Sequence, residues 1–421
     1  MLSLFFKNPG FRNYLLYTVF GNVAWGIFGI FMMWFIHSEF QNPFYTGFTG
    51  FMFAVTSIAS FLVGPFVDKR NKATLLRFTQ FTGFLVILAI LGVYMTAQPG
   101  VWFYHAMIFI VATISLISAP AGAALMPRIV GDDELLKANS FIQITGILFG
   151  IGVGVFLFFS MVQGVDSALI FAVCTVLLFI SVIFSIFLRS GEEANENTTQ
   201  TNTSTYFAEL KEGFVFIKSS VLLLLIIAVL AQDFAVSIAY VNVPMLAQIH
   251  TGEASAYIIL TAMALMGGLI GAYVSRIIGP RLEVWKVLFA CFVLAGIARI
   301  LFVHVIVDNF ARSLIIHAFY IGMGSTIGIF FHTLTQKLPP KRLVARVSTI
   351  IVSLVGITSA LGALLGGILG SILPNIDMIF VLQGGIYIAA GVIISMLKKV
   401  RALPKIDKVA GNDGGVESDQ N

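Results

Sequence analysis

The chain has 421 residues, 58% of them hydrophobic and 11% charged, with a formal net charge of +5. Water-soluble domains carry about 25% charged residues, so this chain has too few polar side chains to cover a water-facing globule. Lipid must solvate much of its surface, and the small positive balance calls for a membrane explanation before a nucleic-acid one.

In chain order, a spanning helix needs about 20 mostly apolar residues. Such runs fall near 13–36, 46–67, 75–96, 101–125, 140–160 and 167–188, then near 221–243, 255–276, 286–306, 313–335, 347–372 and 378–397. The first is too long for a signal-peptide core and has no small-residue cleavage site after it, so it reads as the first membrane helix. The runs are continuously apolar, which favours helices over the alternating ten-residue strands of a membrane barrel. Cys174 and Cys291 lie inside apolar runs and read as buried thiols rather than a disulfide framework.

The cationic residues test this layout. Of the 25 Lys and Arg, all but Arg299 and Arg312 fall on segments that alternate spans place on one side. The opposite loops carry Glu39, Asp166, Glu253, Asp308 and Asp377. This asymmetry is that of the positive-inside rule. It sets both termini in the cytoplasm of a multi-pass cell-membrane (plasma or inner membrane) protein, requires an even number of spans, and accounts for the basic charge with the lipid bilayer as partner and no nucleic acid.

The sharpest break in hydropathy is 189–205, rich in Asn and Thr with no apolar period, and reads as a flexible linker. Beyond it, Phe207, Leu210, Phe214 and Ile217 recur at helical spacing, predicting a short amphipathic helix on the inner membrane surface. The expected organisation is therefore an N-terminal six-helix bundle over 1–188, a cytoplasmic linker with its helix over 189–218, a C-terminal six-helix bundle over 219–397 and a cytoplasmic tail over 398–421. From Ala402 onward the tail reads as polar and disordered. The halves echo each other. Gly64 to Lys69 after span 2 matches Gly271 to Arg276 after span 8, and Leu135 to Gly154 can be laid on Leu343 to Gly362 at nearly the same offset. A repeated offset at equivalent places suggests a duplicated unit.

The loop Gly64, Pro65, Phe66, Val67, Asp68, Lys69, Arg70, Asn71, Lys72 resembles the signature loop of the major facilitator superfamily. Together with the spans, the linker and the paired halves, the resemblance covers essentially the whole chain. It implies an all-α membrane protein with twelve transmembrane helices in two pseudo-symmetric six-helix bundles. The stretch from Met126 to Ser140, with its proline, its acidic run and Ala138-Asn139-Ser140, is similar to the drug-efflux branch that contains macrolide and siderophore exporters. Two features depart from that branch: span 5 keeps Gly146, Gly150, Gly152 and Gly154 without the proline of family antiporters, and span 4 lacks a buried arginine. Glycines on span 5, and Gly356, Gly362, Gly366, Gly367 and Gly370 on span 11, are expected to pack helices closely.

Within the signature loop, Gly64 lets span 2 approach a facing helix, and Asp68 suits the positive N-terminus of span 11 near Val347 and Ser348. Lys69, Arg70 and Lys72 supply the cationic cluster, with Arg70 and Lys72 placed to hold the carboxylate or the anionic lipid surface. The loop thus reads as a cytoplasmic latch or, more plainly, as a topogenic basic turn. The second copy carries Ser275 in place of Asp68, so a latch there is expected to be weak.

An ionisable side chain at mid-bilayer costs about 2.5–3.5 kcal/mol on insertion scales. Asp233, deep in span 7, therefore asks for a reason: proton coupling, attraction of a cationic substrate, or a structural hydrogen bond. Arg299, nearer the outer part of span 9, reads as a snorkelling residue, a partner for Asp308 or a cavity residue. His317 and His332 in span 10 and His105 in span 4 titrate near neutral pH when solvated, with no metal-ligand spacing. Asn22, Trp25, Gln143, Gln232, Asn242 and Tyr320 are cavity candidates, each equally able to bond across helices.

The leading functional reading is secondary active transport: a proton-coupled exporter of amphipathic small molecules working by alternating access, monomeric by family expectation. Uptake by symport is the alternative within transport. A membrane enzyme finds no support in His-Glu-x-x-His, Gly-x-Ser-x-Gly or phosphate-binding motifs, and the reading calls for no cofactor.

Overall fold

The computed structural model describes residues 2–60, 63, 66–67, 70–188 and 203–409. Gly64, Asp68 and Lys69 of the signature loop, linker residues 189–202 and tail residues 410–421 lie outside the described residues. In a medium without water every backbone N–H and C=O needs an internal partner, and the chain meets that need with helices. They are α1 (Leu2–Lys7), α2 (Pro9–Phe40), α3 (Pro43–Val55), α4 (Lys72–Thr96), α5 (Val101–Val130), α6 (Asp132–Val162), α7 (Ser167–Ile186) and α8 (Thr203–Ser219). Then follow α9 (Leu222–Tyr240), α10 (Val243–Thr251), α11 (Ala254–Ile278), α12 (Val284–Asp308), α13 (Phe310–Lys337), α14 (Val344–Ile372) and α15 (Asp377–Met396). Among the described residues there is no strand, and 11 helices are long and apolar enough to cross a membrane. The expected second span, 46–67, begins in α3 and a 3-10 turn at Thr56–Ala59, and its remainder is only partly described.

Short polar side chains start many of these helices. Asn8, Asn42, Asn71, Asp166 and Asn309 each accept a hydrogen bond from a backbone N–H of the first turn that follows. Such caps satisfy donors that the helix itself leaves free. Pro9 and Pro43, just inside α2 and α3, occupy the position where a missing N–H costs nothing. Span 7 departs from the sequence expectation. Its helix stops at Tyr240, and a separate helix, α10, restarts at Val243 with Pro244 in its first turn.

The chain divides into two units, one comprising 1–201 with 253–259 and the other 202–252 with 260–421. In the first, α2 and α4 pack on α7, and α4 also packs on α5. Phe31, Phe35, Tyr94, Tyr104 and Phe171 form an aromatic core with ring centroids 5.0 to 5.8 Å apart and rings near edge-on, the geometry their quadrupoles favour. Ser181 Oγ donates to Tyr17 O at 2.8 Å and ties α7 to α2. Arg77 on α4 donates from Nε to Ser185 O at 3.2 Å and from Nη2 to Leu188 O. A cation there satisfies carbonyls that the end of α7 leaves free.

In the second unit α12 packs on α13 and α15, and α9 on α14. The α12–α15 crossing depends on two glycines. A methyl on Gly296 would lie 2.5 Å from Gly384 O, and one on Gly384 2.7 Å from Gly296 O. On α14, a methyl on Gly362 would lie 2.7 Å from Phe234 O, and one on Gly366 would strike Ile238 O. The glycine face of span 11 thus packs closely, as expected. On span 5, a methyl at Gly146, Gly150 or Gly152 meets no described atom within 4 Å.

Helix α8 packs through one side, and the start of the tail revises an expectation. Helix α8 uses Gly213 and Ile217 against its surroundings, with Gly213 beside Arg346 and Ile350 of α14. Phe214, assigned to the same stripe as Ile217, is 55% exposed. The start of the tail is ordered rather than disordered, because Val400, Leu403, Ile406 and Val409 recur every third residue and are all buried. Lys337 Nζ donates to Ile406 O at 2.9 Å, and Glu283 and Lys405 face each other in an isolated bridge. Glu283 also pairs with Lys286 at 3.1 Å and accepts from Trp285 Nε1 at 2.8 Å. The Lys286 contact first, and the Trp285 bond second, hold its carboxyl below the usual carboxylate range.

Gly384→Val should destabilise the protein by about 1–3 kcal/mol through overpacking, read as a lower unfolding midpoint in detergent by fluorescence-detected size exclusion. Gly150→Ala, which meets nothing, should leave the midpoint unchanged or slightly higher because alanine favours helix.

Candidate functional site

Two polar constellations and one cavity stand out, each within a single unit. The first lies in the second unit and centres on Arg299, 2% exposed. Its Nε donates to Gln383 Oε1 at 2.6 Å, and its Nη1 lies 3.0 Å from His317 Nδ1. A guanidinium has donors only, so His317 accepts at Nδ1 and carries its proton on Nε2. Gln383 Nε2 in turn donates to Tyr320 Oη at 2.7 Å, and Tyr320 Oη is 3.5 Å from Tyr387 Oη. The guanidinium carbon also sits 4.6 Å from the Phe380 centroid, 4.7 Å from Tyr320 and 5.0 Å from Phe302. Three ring faces and two neutral acceptors therefore hold the cation. Among the described residues no carboxylate pairs with it. Arg299 neither snorkels nor meets Asp308, because α13 and α15 close over it and supply acceptors at its own depth.

The second constellation is Asp233, half-buried on α9. Thr358 Oγ1 and Ser359 Oγ of α14 each donate to its Oδ2 at 2.7 Å. Thr358 Oγ1 also lies 3.0 Å from Val355 O. One hydroxyl has one proton to give, so Thr358 has three alternative acceptors, the third being Leu354 O at 3.3 Å. When Asp233 is ionised Thr358 donates to it; when Asp233 is protonated, Thr358 can turn to Val355 O and accept. Both protonation states are thus satisfied without moving a helix. No cation pairs with Asp233 among the described residues.

The cavity lies in the first unit and measures about 360 Å³. Tyr14, Tyr17, Thr18 and Trp25 of α2, Gln80 of α4 and Ser115 of α5 are among its walls, as is Asn22. Asn22 and Trp25 are therefore brought together, whereas Gln143 sits exposed on α6. Asn242 is fully buried, and its Nδ2 donates to Ile238 O and Gly366 O, both at 2.9 Å. It bridges the end of α9 to α14. His105 bonds Thr49 Oγ1 at 3.1 Å, and His332 is exposed. In the signature loop, Arg70 lies over the Phe66 ring at 5.1 Å and Lys72 is buried in the first turn of α4. Among the described residues no three His, Cys, Asp or Glu side chains cluster as metal ligands.

Sequence reading missed Gln383, Tyr387, Thr358, Ser359 and Gln80. Polar residues inside apolar runs are their signal, but only packing shows which of them meet.

Such a chain, nearly all helix with two units of long apolar helices and ionisable side chains held inside them, is a multi-pass membrane protein of the transporter kind. The sequence profile of the Major Facilitator Superfamily matches residues 14–354, and the chain belongs to that family. It is 23% identical over 235 residues to the uncharacterized MFS-type transporter YvqJ of Bacillus subtilis (strain 168), an alignment that takes in 53% of this chain and about half, 54%, of that relative's length. Among solved structures it is similar to the nucleoside transporter NupG, with a TM-score of 0.74 at 11% identity over 92% of this chain and 99% of that one. It is also similar to a peptide transporter POT in complex with sulfate, with a TM-score of 0.71 at 11% identity over 94% of this chain and 96% of that one. At these identities the likeness is one of fold.

Gln383→Leu should strand the Arg299 Nε donor and destabilise the protein by about 1.5–3 kcal/mol, the range for hydrogen bonds to charged groups. Arg299→Met combined with Gln383→Leu should recover part of that loss. Unfolding midpoints of the two single variants and the double variant check the coupling.

Proposed function

We propose that this protein is a proton-coupled exporter of amphipathic small molecules, working by alternating access as a single chain in the cell membrane with both termini in the cytoplasm. The observation that carries the reading is Asp233. A carboxyl group inside a membrane helix, held among the described residues by two hydroxyls and matched there to no cation, is built to gain and lose a proton. The alternative acceptor for Thr358 lets it do so at little structural cost. The distribution of Lys and Arg supports the orientation. The loop from Met126 to Ser140 supports the drug-efflux branch, and the aromatic cavity suits a largely apolar cargo. The reading gives no role to a cofactor.

Asp233→Asn keeps the shape and both hydroxyl partners but cannot ionise. In liposomes with an imposed pH gradient, the variant should lose at least about tenfold in gradient-driven transport of a responsive drug from a panel, an effect of the size expected for losing a proton-transfer group, while eluting as a folded protein. Full gradient-driven transport by the variant would remove Asp233 from the mechanism. In cells, an uncoupler should raise drug accumulation where the protein is expressed. A fall in accumulation under the uncoupler would instead support uptake.

A further inference from the structure

We infer that the free face of α8, formed by Lys211, Phe214, Val215 and Lys218, lies on the membrane surface and binds the headgroups of anionic lipids.

Three observations carry it. The first is that α8 has one side committed to protein, which fixes its rotation. Gly213 lies so close to α14 that a methyl there would come within 3.3 Å of both Arg346 Cβ and Ile350 Cδ1, and Ile217 is buried. Glu212 is occupied by Arg342, which donates to it from Nη1 at 3.0 Å and pairs with it through Nη2 as well. Residues spaced i, i+3, i+4 and i+7 share one side of a helix. Lys211, Phe214, Val215 and Lys218 have that spacing, and all four are exposed.

The second is continuity with a membrane span. Helix α8 ends at Ser219 and α9 begins at Leu222, with Leu222 N donating to Ser220 Oγ at 3.1 Å in the turn between them. Helix α9 is long and apolar enough to cross a membrane. The chain from Lys218 to Leu222 can reach at most about 14 Å, and the headgroup layer is about 5–7 Å thick on each side of the hydrocarbon. The end of α8 is therefore held within reach of the headgroups. At 17 residues, with Lys211, Glu212 and Lys218 along it, α8 is too short and too charged to be a span itself. Exposed Phe214 and Val215 on such a helix suit the boundary between headgroups and acyl chains.

The third is charge. Neither Lys211 nor Lys218 is ion-paired among the described residues. Anionic phosphates supply the missing counter-charge, while the lysine stems and the two apolar side chains rest on the acyl boundary. A protein partner could also cover an apolar face, but the short turn into α9 puts lipid beside this one.

The test uses the full-length protein in bilayers of phosphatidylcholine with a fixed minor share of phosphatidylglycerol. Bromine, which quenches nearby tryptophan, is carried on the acyl chains either of the phosphatidylglycerol or of an equal amount of the phosphatidylcholine. Phe214→Trp places the reporter in the stripe, and the emission of the native tryptophans is subtracted with the unaltered protein in the same bilayers. Both brominated lipids should quench the reporter, and the anionic one should associate about fivefold more strongly, the size of one lysine's attraction to an anionic leaflet. Lys211→Gln with Lys218→Gln should abolish that preference, and Lys211→Arg with Lys218→Arg should keep it. A reporter that neither lipid quenches would overturn the inference. Equal association of the two lipids with both lysines present would do the same, as would a preference that outlasts the double glutamine substitution. Size exclusion shows that each variant is folded. No transport is measured, so the outcome stands apart from the role of Asp233.

Discussion

Hydrocarbon offers no hydrogen bonds, and nearly every feature of this protein follows from that. The backbone must pair with itself, so the described residues fold into helices, and the helix ends are finished by the shortest side chains able to accept a bond. Asn8, Asn42, Asn71, Asp166 and Asn309 do this at N-termini, and at the C-terminus of α7 Arg77 instead donates to the free carbonyls. Between helices, lipid competes on equal terms with apolar side chains, so association relies on close contact. Gly296 against Gly384 and Gly362 against Phe234 are the places where backbones come near enough for that contact to form.

The same constraint explains why two ionisable residues of the second unit live so differently. Arg299 cannot be neutralised, so the fold surrounds it with acceptors and ring faces and leaves no room for water. Asp233 can be neutralised, and the fold leaves it half-buried between two hydroxyls, one of which has a second acceptor to turn to. Permanent charge is packed in; titratable charge is kept adjustable. Asp233 reaches α14, while Arg299 reaches α13 and α15.

Several sequence expectations failed for one reason: a one-dimensional pattern names a residue's type and not its neighbours. Gly146, Gly150 and Gly152 of span 5 read like Gly362 and Gly366 of span 11, yet of these five only the last two meet another backbone among the described residues. Ala402 to Val409 read as disordered because the tail is polar on average; its apolar residues are few, but they recur at a spacing that puts them on one side of a docked segment. Asn242 and Asn22 were equal candidates for a cavity. One is fully buried as a bridge between helices and the other lines open space.

The sequence by itself determined the solvent, the class of fold, the number and approximate limits of the apolar segments, and the family, because these depend on composition and on residues adjacent in the chain. It also singled out Asp233, since a carboxylate within an apolar run is conspicuous without any structure. Only the tertiary structure decided that Arg299 is held by Gln383 and His317 rather than by solvent or Asp308, that Thr358 and Ser359 attend Asp233, and that Asn22 and Trp25 line one cavity while Asn242 bridges two helices. Those facts depend on which helices cross and at what rotation, and that is set by side-chain packing between residues tens to more than a hundred positions apart, which no local pattern encodes.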